Sequence, residues 1–139
     1  MPLSPIYSKP FTIPASAIDE NGHVNNVVYV QWMQDIAVEH YASIGGIQAQ
    51  GTDATWVVRS HKIEYLLPAY EGEEVEVRTW VENIQRVRSL RKYEFVRKSD
   101  GKTLVKGETD WVFVDVKSGR PVAISQEVAG VFGNWENRE

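Results

Sequence analysis

Residues 26–44 read NVVYVQWMQDIAVEHYASI, and this stretch decides the fold. It contains neither Gly nor Pro, and Tyr29, Val30, Met33, Ile36, Ala37, His40 and Ile44 recur at helical spacing. The polar positions Gln31, Gln34, Asp35, Glu39 and Ser43 are few and interrupted by Val38 and Ala42. The pattern predicts a helix about 28 Å long at ~1.5 Å per residue. It is apolar on most sides, so it is expected to lie buried and wrapped by a sheet. Asn25 or Asn26 can cap its start, because an Asn side-chain oxygen accepts a free helix-end amide. Gly45-Gly46 supplies the stop.

Outward from the helix the period changes to two. Upstream, residues 11–13 sit between Pro10 and Pro14, which predicts a short or edge strand. Residues 16–26 are polar, carry Gly22 and read as a loop. Downstream, Val57, Ile63, Tyr65 and Leu67 alternate with Lys62, Glu64 and Leu66 until Pro68. Val75, Val77, Thr79 and Val81 alternate with Glu74, Glu76, Arg78 and Glu82, as expected of a half-exposed strand. Tyr93 and Phe95 lie among Lys92, Glu94 and Arg97, and residues 103–116 form the last strand-like run after a turn at residues 99–102. A turn at residues 117–121 follows, and Ser125 is placed to cap a short final helix through Phe132. The order β-α-β-β-β-β predicts one α+β domain over residues 1–139, with a curved antiparallel sheet of about five strands. One helix cannot cover both faces of such a sheet, so the chain is expected to pair with a second copy.

Composition narrows the function classes. The 139 residues are 42% apolar and 24% charged, which suits a packed core and excludes disorder. A net charge of −4 argues against general nucleic-acid binding. Without cysteine there are no disulfides, Cys nucleophiles or thiolate metal sites, and a reducing cytoplasm is the expected location. The first residues, MPLSPIYSKPF, lack the apolar run of a signal peptide, and no run approaches the ~20 apolar residues of a membrane span. There is no G-x-S-x-G, no P-loop, no G-x-G-x-x-G and no H-E-x-x-H. His23, His40 and His61 are not at metal-ligand spacing, so no metal is expected.

One segment concentrates chemistry. Asp19, Asn21, His23, Asn25 and Asn26 crowd polar groups immediately before the apolar helix. They could be no more than a capped loop, since Asp and Asn favour turns and His23 can bond to backbone. The context favours more. A buried helix N-terminus presents free amides of partial positive charge, able to polarise a carbonyl and stabilise an oxyanion. A carboxylate beside it can serve as base or nucleophile, and an imidazole can give a proton. These are the parts of acyl transfer to water.

The run Asp19-x-Asn21-x-His23-Val24-Asn25-Asn26-x-x-Tyr29 resembles the hotdog-fold thioesterases, above all the acyl-acyl-carrier-protein thioesterases. Those carry D-x-N-x-H-V-N-N-x-x-Y before the long central helix. The 4-hydroxybenzoyl-CoA thioesterase group is similar in length and keeps the aspartate, but usually lacks the His-Val-Asn-Asn run. Ile63-Glu64-Tyr65-Leu66-Leu67-Pro68-Ala69 looks like the family's second strand. The resemblance implies a hotdog fold and hydrolysis of an acyl-CoA or acyl-carrier-protein thioester to acid and thiol. It also implies no bound cofactor and a homodimer or homotetramer. It makes Asp19 the catalytic carboxylate, has Asn21 and His23 position thioester or water, and gives the carbonyl to the Asn26 N–H. Plant-type members add an acidic residue and a Cys after the second strand. Here that stretch is Leu67-Pro68-Ala69-Tyr70-Glu71, so the water-activating set is open.

Asp35 and Glu39 are alternative bases on the helix, or simply solvated or dimer-facing positions. His40 falls on the apolar stripe as a core histidine. Arg86, Arg88, Arg91, Lys92, Arg97 and Lys98 form a basic cluster. Arg86, Arg88 and Arg91 are the candidates for CoA phosphates or an acidic carrier protein, against a solvated strand face. Trp32, Trp56, Trp80 and Trp111 are expected in the core, at an interface or along an acyl tunnel. Two rivals stand beside the hydrolase. One is a hotdog hydratase or dehydratase, which often carries D-x-N-P-x-H at this loop. The other is a non-catalytic acyl-binding protein, against which Asp19 speaks.

Overall fold

The computed structural model describes residues 4–132. Strand β1 (Tyr7–Thr12) leads through a 3-10 turn to helix α1 (Asn26–Ser43) and a short α2 (Gly46–Gln50). Strands β2 (Ala54–Tyr65), β3 (Glu74–Ile84), β4 (Arg88–Arg97) and β5 (Thr103–Asp115) follow, then α3 (Gln126–Gly130). All pairings are antiparallel, in the order β1-β3-β4-β5-β2. The sheet curves around α1, the hotdog arrangement.

Helix α1 begins where expected. Asn25 is the cap, its side chain accepting from Val27 N at 2.9 Å. The chain leaves the helix through Gly45 at φ 86°, a left-handed turn that glycine makes without a Cβ clash. Tyr29, Met33, Ile36, Ala37 and His40 are its buried residues. The facing sheet layer follows from the register: Val77 is opposite Phe95, and Phe95 is opposite Val105. One step along, Thr79 is opposite Tyr93, and Tyr93 opposite Gly107. Helix and sheet approach most closely there, because a Cβ on Gly107 would lie 2.8 Å from Met33 Sδ.

Three elements depart from the sequence reading. Strand β1 starts at Tyr7 and runs through Pro10, which pairs opposite Glu76. An edge position allows this, since one side of the strand has no ladder to complete. Strand β4 starts at Arg88, because the basic residues before Tyr93 extend the strand rather than precede it. Helix α2 was not expected after Gly45-Gly46; it spans only five residues and has no side-chain cap. Ser125 does cap α3, accepting from Val128 N at 3.2 Å. Strand β2 is the other edge, twelve residues long.

Candidate active site

The loop before α1 is a small hairpin. Ile18 bridges to Val24, Asp19 N donates to His23 O at 3.1 Å, and Gly22 N donates to Asp19 O at 3.0 Å. Gly22 sits at φ 85°, which closes the turn. The Asp19 carboxylate accepts from Asn21 N through Oδ1 at 2.9 Å, a local turn bond of the kind Asp favours. Two backbone bonds anchor the loop. Val24 N donates to Ala69 O, and Asn25 N to Ala17 O, both at 2.9 Å.

These bonds use up the amides around the helix start, with one exception. Val27 N goes to the Asn25 side chain and Val28 N to Asn25 O. Among the described residues, nothing accepts from Asn26 N–H. It is a free donor at the positive end of an 18-residue helix. Beside it opens a cavity of about 310 Å³ lined by His23, Val24, Asn26 and Tyr29 and by residues 65–69. Tyr65 Oη donates to Asn26 O at 3.1 Å and so fixes the first turn of the helix. The Tyr29 hydroxyl is buried without a hydrogen-bond partner among the described residues, and burial pushes its pKa up to about 12. The His23 ring meets Tyr70 edge-on at 6.4 Å, with Nδ1 3.4 Å from Val24 O, too long for a strong bond.

His23 and Asn26 therefore meet at the cavity. Asp19 and Asn21 lie in the same hairpin but not in its lining. The helix carboxylates are elsewhere. Asp35 accepts from Gln31 Nε2 at 2.8 Å on the exposed side of α1. Glu39 is about 20 Å from Asn26 at ~1.5 Å per residue. It accepts from Lys9 Nζ at 2.8 Å and from Tyr7 Oη at 2.7 Å, donors that hold its carboxyl below the usual range. His40 is a core residue, 3% exposed. Burial first, then the Arg91 charge, push it down to about 4.

The arginines do not share one surface. Arg86 is exposed. Arg88 is on the outer face, bonded to Asp110 through Nε at 3.2 Å and Nη2 at 2.6 Å. Arg91 is 4% exposed, so it stands apart from the solvent-facing phosphate contact considered for it. The reason is strand alternation: Arg91 points to the side of Tyr93 and Phe95, Arg88 and Lys92 to the other.

Sequence reading also missed Tyr65 and residues 66–68 as site residues. The signal was present: Tyr65, Leu66 and Leu67 are consecutive, apolar and exposed, where the strand's alternation fails.

Residues 13–132 match the profile of the thioesterase-like superfamily. No curated protein matches the chain. Among solved structures, an acyl-ACP thioesterase from Bacteroides thetaiotaomicron is similar at 26% identity and TM-score 0.78, over 86% of this chain and 49% of that one. A protein from Pseudomonas aeruginosa is similar at 25% identity and TM-score 0.81, over 91% and 88%. A 1,4-dihydroxy-2-naphthoyl-CoA thioesterase from Synechocystis shares the fold at 15% identity and TM-score 0.83, over 95% and 98%.

Proposed function

The chain belongs to the thioesterase-like superfamily, and from that premise we propose that it hydrolyses an acyl-CoA or acyl-carrier-protein thioester to a free acid and a thiol. The observation that carries the reading is the free Asn26 N–H beside the cavity. A carbonyl oxygen seated on it gains a hydrogen bond and the field of α1, both of which strengthen as negative charge develops on the oxygen.

The reaction then runs on the hairpin's side chains. Asp19 keeps Oδ1 on Asn21 N and has Oδ2 to accept a proton from water. That water attacks the carbonyl carbon, and the tetrahedral oxyanion rests on Asn26 N–H. Collapse breaks the C–S bond, and His23 gives a proton to the leaving sulfur or holds the water that does. Asn21 keeps the Asp19 carboxylate in place through its backbone amide. Tyr65 supports the helix end, and the exposed Leu66 and Leu67 offer apolar surface to the substrate.

The working unit is a homodimer or larger. Among the described residues, edge strand β2 has no neighbour on its outer side. Val57 remains exposed on β2. Light scattering is expected to give at least twice 15.8 kDa. The cysteine-free composition supports a cytoplasmic setting.

Thiol release from a panel of acyl-CoA and acyl-carrier-protein substrates, run beside hydration of enoyl-CoA, tests the reading. Stoichiometric acid and thiol support it. Hydration without thiol release makes the chain a hydratase, and saturable binding without either reaction makes it an acyl-binding protein.

A further inference from the structure

At the far end of α1 lies a second cavity, of about 240 Å³, between that helix, α2, Phe132 just beyond α3 and the inner face of the sheet. Its walls are mostly apolar and aromatic, with Val38 at one side and Trp56, Trp111 and Phe132 around it. Ala37, the lining residue on α1 nearest Asn26, is about 16 Å from it at ~1.5 Å per residue. The cavity is therefore separate from the one beside the hairpin.

Arg91 is the unexpected member of this lining. Its guanidinium is buried, yet among the described residues no carboxylate pairs with it. Its hydrogen-bond partners there are His40 Nδ1 at 2.9 Å and Thr79 Oγ1 at 3.1 Å, both reached from Nη1. His40 is uncharged at neutral pH, because burial holds its pKa at about 4. The Phe132 ring lies 5.9 Å from the guanidinium carbon, a weak contact for a cation. A buried charge without a counter-ion is costly, and proteins pair such groups or bind an anion on them. The Nε and Nη2 donors have no protein partner among the described residues. That edge of the fork matches the two oxygens of a carboxylate.

The rest of the lining fits the same chemistry. No described lining residue is acidic. Ser89, two residues before Arg91 on β4, lines the cavity with a hydroxyl that bonds to nothing among the described residues. The indole nitrogens of Trp56 and Trp111 are buried and lean toward the Tyr41 and Tyr93 oxygens without closing a hydrogen bond. A phosphate would bring more charge into this apolar space than one guanidinium offsets. The volume is below the ~300–1,000 Å³ of drug-sized sites, so the ligand is compact.

We propose that this cavity is a second binding site, which takes a small carboxylic acid with an apolar body and holds its carboxylate on Arg91. The proposal stands on binding alone and does not depend on thioester hydrolysis.

Calorimetric titration of the full chain with phenylacetate and octanoate, each against its primary amide, tests it. Each pair shares a body and differs in charge. The acids are expected to bind at least about tenfold more tightly than the amides, a difference of ~1.4 kcal/mol. Arg91→Gln should abolish that preference. Because loss of a buried guanidinium can unsettle the fold, Val38→Trp is the second variant. Val38 is 57% exposed at the cavity, so a larger side chain there fills the space from outside. It should lose acid binding while circular dichroism and Tm stay at the wild-type values. Three results overturn the proposal: acid and amide binding alike, Val38→Trp binding acid as the wild type does, or no binding heat from either acid up to about 10 mM. Any of them makes Arg91 a structural pin between His40 and Thr79.

Discussion

Asp19→Asn separates the two roles the hairpin aspartate can have. Asn retains Oδ1, the atom that accepts from Asn21 N at 2.9 Å, so the turn is preserved. The charge is lost. Hydrogen bonds to charged groups contribute ~1.5–3 kcal/mol and neutral ones ~0.5–1.5, so the swap costs about 1 kcal/mol, and less where solvent screens the site. For a chain of this size that moves Tm by about 3–5 °C at most. The chemistry loses a general base, which is typically ~10²–10⁴ in rate. At 1.36 kcal/mol per tenfold this is about 3–5 kcal/mol of barrier. The chemical effect should therefore exceed the structural one several-fold. Thiol release at saturating substrate reads the first, and differential scanning calorimetry the second. KM should change little, because the carboxylate acts on water rather than on the bound acyl group. A kcat within about threefold of wild type would refute the assignment of Asp19 as base. A variant that no longer folds would make Asp19 a turn residue and return the whole loop to a capping role.

Three further outcomes follow from the same geometry. His23→Ala should lower turnover by roughly 10²–10⁴-fold with the fold intact, as general acid–base groups do; unchanged turnover would make His23 structural. Gly107→Val should cost about 1–3 kcal/mol by overpacking against Met33, and Met33→Ala should relieve much of it. Additive denaturation energies in that double-mutant cycle would contradict the close contact. His40, held at about 4 in the fold, takes up a proton in the unfolded chain near pH ~6.5. Its stabilisation is complete above that pH and falls as pH drops toward 4, by on the order of 2–3 kcal/mol. Urea unfolding at pH 7 and pH 4.5 should show this loss, reduced in His40→Gln; an equal loss in both proteins would refute the burial argument.

Helix α1 was legible because its signals agree: no breaker from residue 26 to 44, an Asn to cap it and a glycine to end it. Strand β3 was legible from alternation, and β5 as a strand-like run between two turns. The hairpin was legible as polar chemistry before an apolar helix, and the structure brings His23 of that hairpin and Asn26 at the helix start to a cavity. The opposite wall showed in the sequence only as the apolar run at residues 65–67, with nothing to say what it faces. Residues 65–69 come to α1 only because β2 lies at the sheet edge and the Val24–Ala69 bond draws the next connection across. Local sequence carries no trace of that pairing. Arg91 is a different case. Two residues before Tyr93 and four before Phe95, it had to share their inward face once β4 was extended back to Arg88. Counted as one of six basic residues, it looked solvated. Read by strand parity, it is the buried charge on which the second cavity turns.

The central claim is that the reacting carbonyl sits on Asn26 N–H, the open amide of α1. The most direct measurement is the Asn26 amide resonance, followed by ¹⁵N–¹H NMR during titration with a non-hydrolysable acyl-CoA analogue in which a methylene separates sulfur from carbonyl. The account predicts a saturable downfield shift of Asn26 N–H, as the carbonyl replaces solvent on it. The shift should persist in Asp19→Asn, where the base is gone and the carbonyl site remains. An analogue that binds while the Asn26 resonance stays in place would contradict it.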